Sequence, residues 1–373
     1  MGSLNIGTAP PNANGDLEKT ATSPVKLFHF ALDPSPAPAV IAPSMATEKR
    51  PWAWGLIGPG RFAQEFTREL VQQSRARPFA VGSRSRERAE SFANEFGFEK
   101  VHDRYEALVA DPGIDIVYIV TPHVFHREIA EMAIDAGKAV ICEKPLTPSA
   151  EDTRQLCARA RDRGVFLMEA MKTGFLPAIQ QARDWIRAGE IGTPKLLKAD
   201  FTFFGPDDPD DRLMNPELAG GCILDVGIYP IYLSRFLLGE VADLHATGHL
   251  AATGVEDTAA ISLRHENGAC ASLTASFQAP EAMDAEILGS RGRIRIPRFH
   301  AAHSVELIRE DGGRESFASP DSGMVAGEIV AVMDALDEGR LECPEHTHAD
   351  SIRLAELMDE ALRQVRNQKN GIE

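Results

Sequence analysis

Residues 52–66 read WAWGLIGPGRFAQEF, an apolar run joined to a helical pattern through a glycine turn. Gly58-x-Gly60-x-x-Ala63 is the spacing of a strand–turn–helix that holds a dinucleotide. The first glycine permits the tight turn, the second lets a pyrophosphate approach the backbone, and Ala63 allows close helix–strand contact. Free N–H groups and the positive dipole end of the helix then face the phosphates. Phe62, Phe66 and Leu70 recur at i, i+4 and i+8, the period of a helix with one buried face. Arg61 and Phe62 open that helix and join Gly58 and Gly60 as candidate cofactor contacts.

The same rhythm continues. RPFAVGS predicts a second strand and RERAESFANEF a second helix, while IDIVYIVTP is too continuously apolar to have a wet side. EIAEMAIDAG returns as a helix and KAVICEKP closes the unit. Alternating strands and helices with short links predict an α/β, doubly wound parallel sheet, a Rossmann domain over residues 51–146. From 147 to 373 the pattern changes to an α+β domain, with two helices leading into a large, mostly antiparallel sheet and two more helices ending the chain. One open face of that sheet needs a cover, and self-association as a homodimer or homotetramer is expected to supply it. Residues 1–50 hold seven of the 24 prolines and no sustained periodicity, so they read as a flexible or extended arm. Met45 stands where a compact domain would start, so the arm is either outside the true start or a strap on a neighbouring subunit.

A chain of 373 residues exceeds what one core supports, which agrees with two domains. Its net charge of −16 argues against nucleic-acid or anionic-membrane partners, which require a positive face. No apolar run approaching a membrane span is evident, nor a secretory leader. The five cysteines are scattered without metal-ligand spacing, so reduced thiols and a cytoplasmic location are expected. His123 and His126 lack a third ligand, and no metal is assigned.

After the second strand comes VGSRSRERA, with no acid before Glu87 to hold a ribose 2′-hydroxyl. Ser83 offers a hydroxyl to a 2′-phosphate, Arg84 a guanidinium that pairs or stacks, and Arg86 and Arg88 keep the neighbourhood positive. NADP is therefore expected, with NAD as the alternative. Thr121, Pro122, His126, Glu143 and Lys144, from TPHVFH and CEKP, lie at the strand ends where such ligands settle.

A hydride carrier also needs a partner that moves the substrate's proton and another that polarises its oxygen. Lys144 projects an ammonium from the first domain, and the segment AGGCILDVGIYPIYLSRFLLG supplies Asp225 and Tyr229. If that backbone is helical, the i and i+4 spacing puts carboxylate and phenol on one face. Pro230 then lies in a first turn or marks a kink. A neighbouring ammonium lowers a phenol's pKa, so Lys144 is expected to bind the reacting oxygen and tune Tyr229 together, with Asp225 holding the lysine and a substrate hydroxyl.

GPGRFA, TPHVFH, CEKPLT and GGCILDVGIYP, in this order, resemble the Gfo/Idh/MocA family of glucose–fructose oxidoreductases and inositol dehydrogenases. The likeness runs from about Trp52 onward. GKAVICEKP, FLMEAM and DVGIYP most resemble its dihydrodiol and D-xylose dehydrogenase branch. The resemblance implies a nicotinamide-dependent oxidoreductase of sugars or cyclic polyols that dimerises through its open sheet. It also implies that Lys144 and Asp225 are the family's lysine and aspartate, and that Tyr229 holds the acid–base position. Where the branch resembles W-T-R-F-F-P, this chain has Lys172-Thr173-Gly174-Phe175-Leu176-Pro177, so the branch's substrates do not transfer directly. Lys172, together with Arg212 in the acidic loop GPDDPDDRLMNPE, is a candidate substrate contact. A catalytically silent cofactor-binding sensor, or an enzyme with permanently bound NADP working between two sugars, are the alternatives.

Overall fold

In the computed structural model, residues 50–319 and 323–368 are described, so the arm expected at 1–50 lies, except for Arg50, outside the described residues. The first six strands are β1 (Trp52–Ile57), β2 (Ala76–Gly82), β3 (Lys100–His102), β4 (Ile116–Ile119), β5 (Ala139–Glu143) and β6 (Leu167–Ala170). They form one parallel sheet in the order β3-β2-β1-β4-β5-β6. The chain thus winds outward on one side of β1 and restarts on the other. That reversal opens a crevice at the carboxyl ends of β1 and β4, where ligands settle in such sheets. Gly58 closes β1 with φ +97°, and a Cβ there would stand 2.7 Å from the Val120 carbonyl oxygen, so only glycine fits.

All four residues of β4 are buried, which requires cover on both faces of the sheet. On one face lie α1 (Arg61–Leu70) and α2 (Arg86–Phe96), through Phe66, Leu70 and Phe92. On the other lie α3 (Tyr105–Val109), α4 (His126–Asp135) and α5 (Ala150–Arg163), through Leu108, Ile129 and Leu156. The predicted boundary at 146 therefore falls too early. Helix α5 and strand β6 belong to the first layer system, because β6 continues the parallel ladder beside β5.

The second lobe holds α6 (Pro177–Arg187), β7 (Pro194–Phe204), α7 (Ile228–Leu238), β8 (Val241–Leu250), β9 (Glu256–His265), β10 (Cys270–Ser276), β11 (Gln278–Ala282), β12 (Ala285–Gly289), β13 (Gly292–Ile296), β14 (Ser304–Arg309) and β15 (Arg314–Ala318). These strands make a nine-stranded sheet in the order β15-β14-β13-β12-β7-β10-β9-β8, with β11 also on β7. Every pairing is antiparallel except β7 with β10. Ala259, Ile261 and Leu263 of β9 face a core shared with the helices, whereas Ala260, Ser262 and Arg264 alternate to the exposed side.

Two helices follow, α8 (Ala326–Asp337) and α9 (His348–Arg366). Helix α9 packs in the second lobe's core through Leu354 and Met358. Helix α8, expected in the second domain, instead returns to the first lobe and buries Ile329, Val332 and Met333 against α1 and the parallel sheet. Its first N–H groups are held by α1: Glu69 Oε2 accepts from Val325 at 2.8 Å and from Ala326 at 2.6 Å. The stretch Pro216–Leu238 has the length and apolarity of a membrane-crossing helix, which the sequence reading had not found, but 89% of its most apolar window is buried inside the protein.

Candidate active site

Gly60 caps α1 with no side-chain bond, and the helix has no acid in its first turn, so its opening N–H groups are left for an anion. A Cβ on Gly60 would meet only the Gly58 oxygen at 3.9 Å, so the site is open where backbone must approach a phosphate. The buried Thr121 hydroxyl at the end of β4 has no partner. This turn fits a dinucleotide. Beside β2, the buried Ser83 hydroxyl accepts from the Ser85 N–H at 3.1 Å. Arg84 is exposed, its guanidinium 5.4 Å from the Phe125 ring centre. Arg86 is engaged by Glu90 at 2.7 Å, whereas Arg84 and Arg88 make no ion pair among the described residues.

Two expected cofactor contacts are placed otherwise. His126 is wholly buried, its ring nitrogens 2.9 Å from the Pro145 oxygen and 2.8 Å from the Thr121 oxygen. It pins one strand-end loop to the other and has no surface for a ligand. Glu143 is also buried; it accepts from the Tyr118 hydroxyl at 2.7 Å and from the Lys144 N–H at 3.3 Å. Its part is to shape the turn that presents Lys144.

The partner side of the crevice comes from a π-helical turn, Ile223–Gly227, that runs directly into α7. Pro230 is the third residue of α7, directly after the π turn, so the continuous helical run lacks one backbone donor there. The extra residue of a π turn shifts side chains around the axis, and such turns recur at functional sites. Here it aims Asp225 and Tyr229 at β5. Lys144 Nζ donates to the Asp225 backbone oxygen at 2.6 Å and lies 3.6 Å from its carboxylate. Arg212 holds the same carboxylate at 3.0 Å from the rim, with about half of its side chain exposed. Burial alone would raise the Asp225 pKa, but the Lys144 and Arg212 charges outweigh it and keep the carboxyl well below its ordinary value. His123 lines the same crevice, where burial and the Lys144 charge push its pKa down to about 3.

Lys144 Nζ stands 4.9 Å from the centre of the Tyr229 ring. The expected tuning does not follow from that approach. Burial first, then Glu143, Asp225 and Glu328, raise the Tyr229 pKa well above the ordinary phenol value, so the side chain is a neutral proton donor near pH 7. The ammonium lies over the ring face, while the hydroxyl makes no hydrogen bond among the described residues.

Lys172 lies deeper, 6% exposed, its Nζ 5.3 Å from the Phe62 ring centre and 5.9 Å from that of Tyr229. Nearby, a Cβ on Gly174 would stand 2.0 Å from the Tyr232 hydroxyl, so no side chain fits without displacing that ring. Three neighbours escaped the sequence reading. Phe201 of β7 packs 5.4 Å from Tyr229; His300 packs 6.0 Å from Tyr229 and 4.4 Å from Phe201; Glu328 of α8 is wholly buried with both carboxyl oxygens unpartnered. No local spacing links these positions to residues 144 or 229; only the tertiary fold does.

The Oxidoreductase family with NAD-binding Rossmann fold matches residues 52–171, and the GFO/IDH/MocA C-terminal domain matches residues 179–295. A mouse (Mus musculus) trans-1,2-dihydrobenzene-1,2-diol dehydrogenase is 33% identical over 325 residues, covering 84% of this chain and 96% of the relative. The chain belongs to the GFO/IDH/MocA oxidoreductase family. A D-xylose 1-dehydrogenase (NADP(+)) of Haloferax volcanii is 32% identical, covering 82% of this chain and 95% of its own. Among solved structures, a 3-ketoreductase from Actinomadura kijaniata in complex with NADP and TDP-benzene superposes with a TM-score of 0.76 at 31% identity, covering 85% of this chain and 98% of the other. The aldose-aldose oxidoreductase from Caulobacter crescentus shares the fold with a TM-score of 0.79 at 22% identity, covering 86% and 99%. As a GFO/IDH/MocA member, the chain is a nicotinamide-dependent oxidoreductase.

Proposed function

We propose that this enzyme interconverts a hydroxyl and a carbonyl on a sugar, cyclic polyol or related diol, using NADP, with Lys144, Asp225 and Tyr229 as its catalytic residues. The observation that supports the reading is the approach of Lys144, at the end of β5, to within 4.9 Å of the Tyr229 ring centre. The bound nicotinamide supplies or accepts hydride at the substrate carbon. Tyr229 donates the proton to the oxygen in the reducing direction and takes it back in the oxidising one. Lys144 donates a hydrogen bond to the same oxygen and stabilises the negative charge that develops there. Asp225 keeps the lysine pointed inward through two of its oxygens, and Arg212, half-exposed at the rim, closes over substrate hydroxyls.

The relatives' named substrates, a dihydrodiol and an aldopentose, share vicinal hydroxyls, which suits a crevice rich in paired donors and acceptors. NADP is favoured over NAD by Ser83 and the unpaired Arg84 and Arg88 at the end of β2. The polar outer face of the nine-stranded sheet, with Ser262, Arg264 and Ser272 exposed, supports a homodimer or homotetramer joined there. The functional reading is tested by offering aldoses, ketoses, inositols and cyclic diols with each nicotinamide cofactor and following its absorbance. Failure of every such compound with both cofactors, in both directions, overturns it.

A further inference from the structure

Lys172 is a buried cation that the catalytic scheme leaves unused. Its Nζ has one close partner, the Met324 sulfur at 3.6 Å, and no carboxylate within ion-pair distance among the described residues. The acids near it on neighbouring elements have other partners or are deeply buried. Glu143 of β5 already accepts from Tyr118 and from the Lys144 N–H. Glu69 of α1 accepts from the first N–H groups of α8. Asp225 is shared by Lys144 and Arg212. Glu328 of α8 is wholly shielded from water, and burial raises its carboxyl pKa well above the ordinary range. Burial and the Lys144 charge lower the Lys172 pKa, while Glu143, Glu328 and Glu69 act the other way and favour the ammonium. The amine stands between Phe62, which follows the glycine turn, and Tyr229.

A positive charge in that place distinguishes the two forms of the nicotinamide ring. The oxidised nicotinamide ring is a cation, whereas the reduced ring is uncharged. In a poorly hydrated site the like-charge repulsion is strong. We propose that Lys172 is a specificity-determining residue for the cofactor's oxidation state: its ammonium makes the site hold reduced dinucleotide in preference to oxidised. The inference rests on the reading that the nicotinamide meets the substrate beside Tyr229. Lys172 stands where the pattern that the sequence resembles has an uncharged tryptophan.

Isothermal titration of the full chain with NADP+ and with NADPH, without substrate, tests it. The wild type is expected to bind NADPH more tightly. Lys172→Met is expected to lower the ratio of Kd for NADP+ to Kd for NADPH about tenfold, the scale of one charge acting through a few ångströms of protein. Lys172→Arg, which keeps the charge, is expected to preserve the ratio, and Lys172→Gln repeats the neutral case if the methionine variant does not fold. Tighter binding of NADP+ than NADPH by the wild type overturns the inference outright, as does an equal ratio in wild type and a folded neutral variant. In either case a persisting turnover leaves the proposed function standing. Loss of all binding in the wild type would sink both.

Discussion

The Lys144 ammonium lies over the face of the Tyr229 ring, 4.9 Å from its centre, and not against its hydroxyl. A cation in that position gains from the ring quadrupole and is steadied by it. It leaves the phenolic proton in place, because burial and three carboxyl groups hold the Tyr229 pKa above its ordinary value. The phenol is thus arranged to donate a proton, as the proposed reduction of a carbonyl oxygen requires.

Removing the ammonium should cost chemistry and not binding. Lys144→Met is expected to bind NADPH with near-normal affinity while kcat falls at least ~100-fold, the scale of lost acid–base and oxyanion assistance. Single-turnover rates beside a binding titration check it, and unchanged turnover would remove Lys144 from the mechanism.

The raised Tyr229 pKa sets the sign of the pH dependence. Carbonyl reduction needs the protonated phenol, so its rate should hold through neutrality and fall only in strongly alkaline solution. Alcohol oxidation needs the deprotonated form and should rise with pH over the same range. Tyr229→Phe should abolish both limbs and lower kcat ~100-fold or more. A wild-type oxidation rate that is flat from pH 6 to 10 would contradict the assignment.

Arg84 is exposed, and makes no ion pair among the described residues, where a 2′-phosphate is expected. Arg84→Ala should weaken NADPH about tenfold or more, the energy of one charge-assisted contact, and leave NADH nearly unchanged. Paired titrations with both cofactors decide it.

Asp225 contributes to acid stability. Its folded pKa is depressed, so its contribution is fully present above the unfolded carboxyl value of about 4 and is lost as pH falls below it. Asp225→Asn should flatten that acid limb of the unfolding profile and should also loosen Lys144. Chemical unfolding at a series of pH values measures the first effect.

Glu69 serves the junction of α1 and α8 by accepting from two N–H groups. Glu69→Ala should destabilise the fold by about 1–2 kcal/mol, the usual cost of a lost helix cap. Hydrogen exchange should show the loss concentrated at the start of α8.

Much of this molecule was legible in the chain because its signals are local. The strands β1, β4 and β5 are continuous apolar runs, and Gly58-x-Gly60-x-x-Ala63 carries its own geometry. Strand β8, VADLHATGHL, was missed because polar residues interrupt its apolar positions and its outer side faces solvent. The pairing of Lys144 with Tyr229 could be guessed from the resemblance, but the phenol's proton affinity could not. It depends on the burial of the ring and on Glu143, Asp225 and Glu328, which the fold brings near it from distant parts of the chain. The boundary at 146 failed for a related reason: β6 and α8 are assigned by the partner each finds, and no local pattern names that partner.

The capture of α8 by the first lobe has a bearing on biosynthesis. The nucleotide-binding half lacks one helix of its cladding until the ribosome has passed residue 337, after nearly the whole second lobe has been made. A gene cut between the lobes would leave Phe66 and Tyr118 under a bare patch where Ile329, Val332 and Met333 belong. The two halves should be recoverable as a working enzyme only when that late helix is returned to the early half.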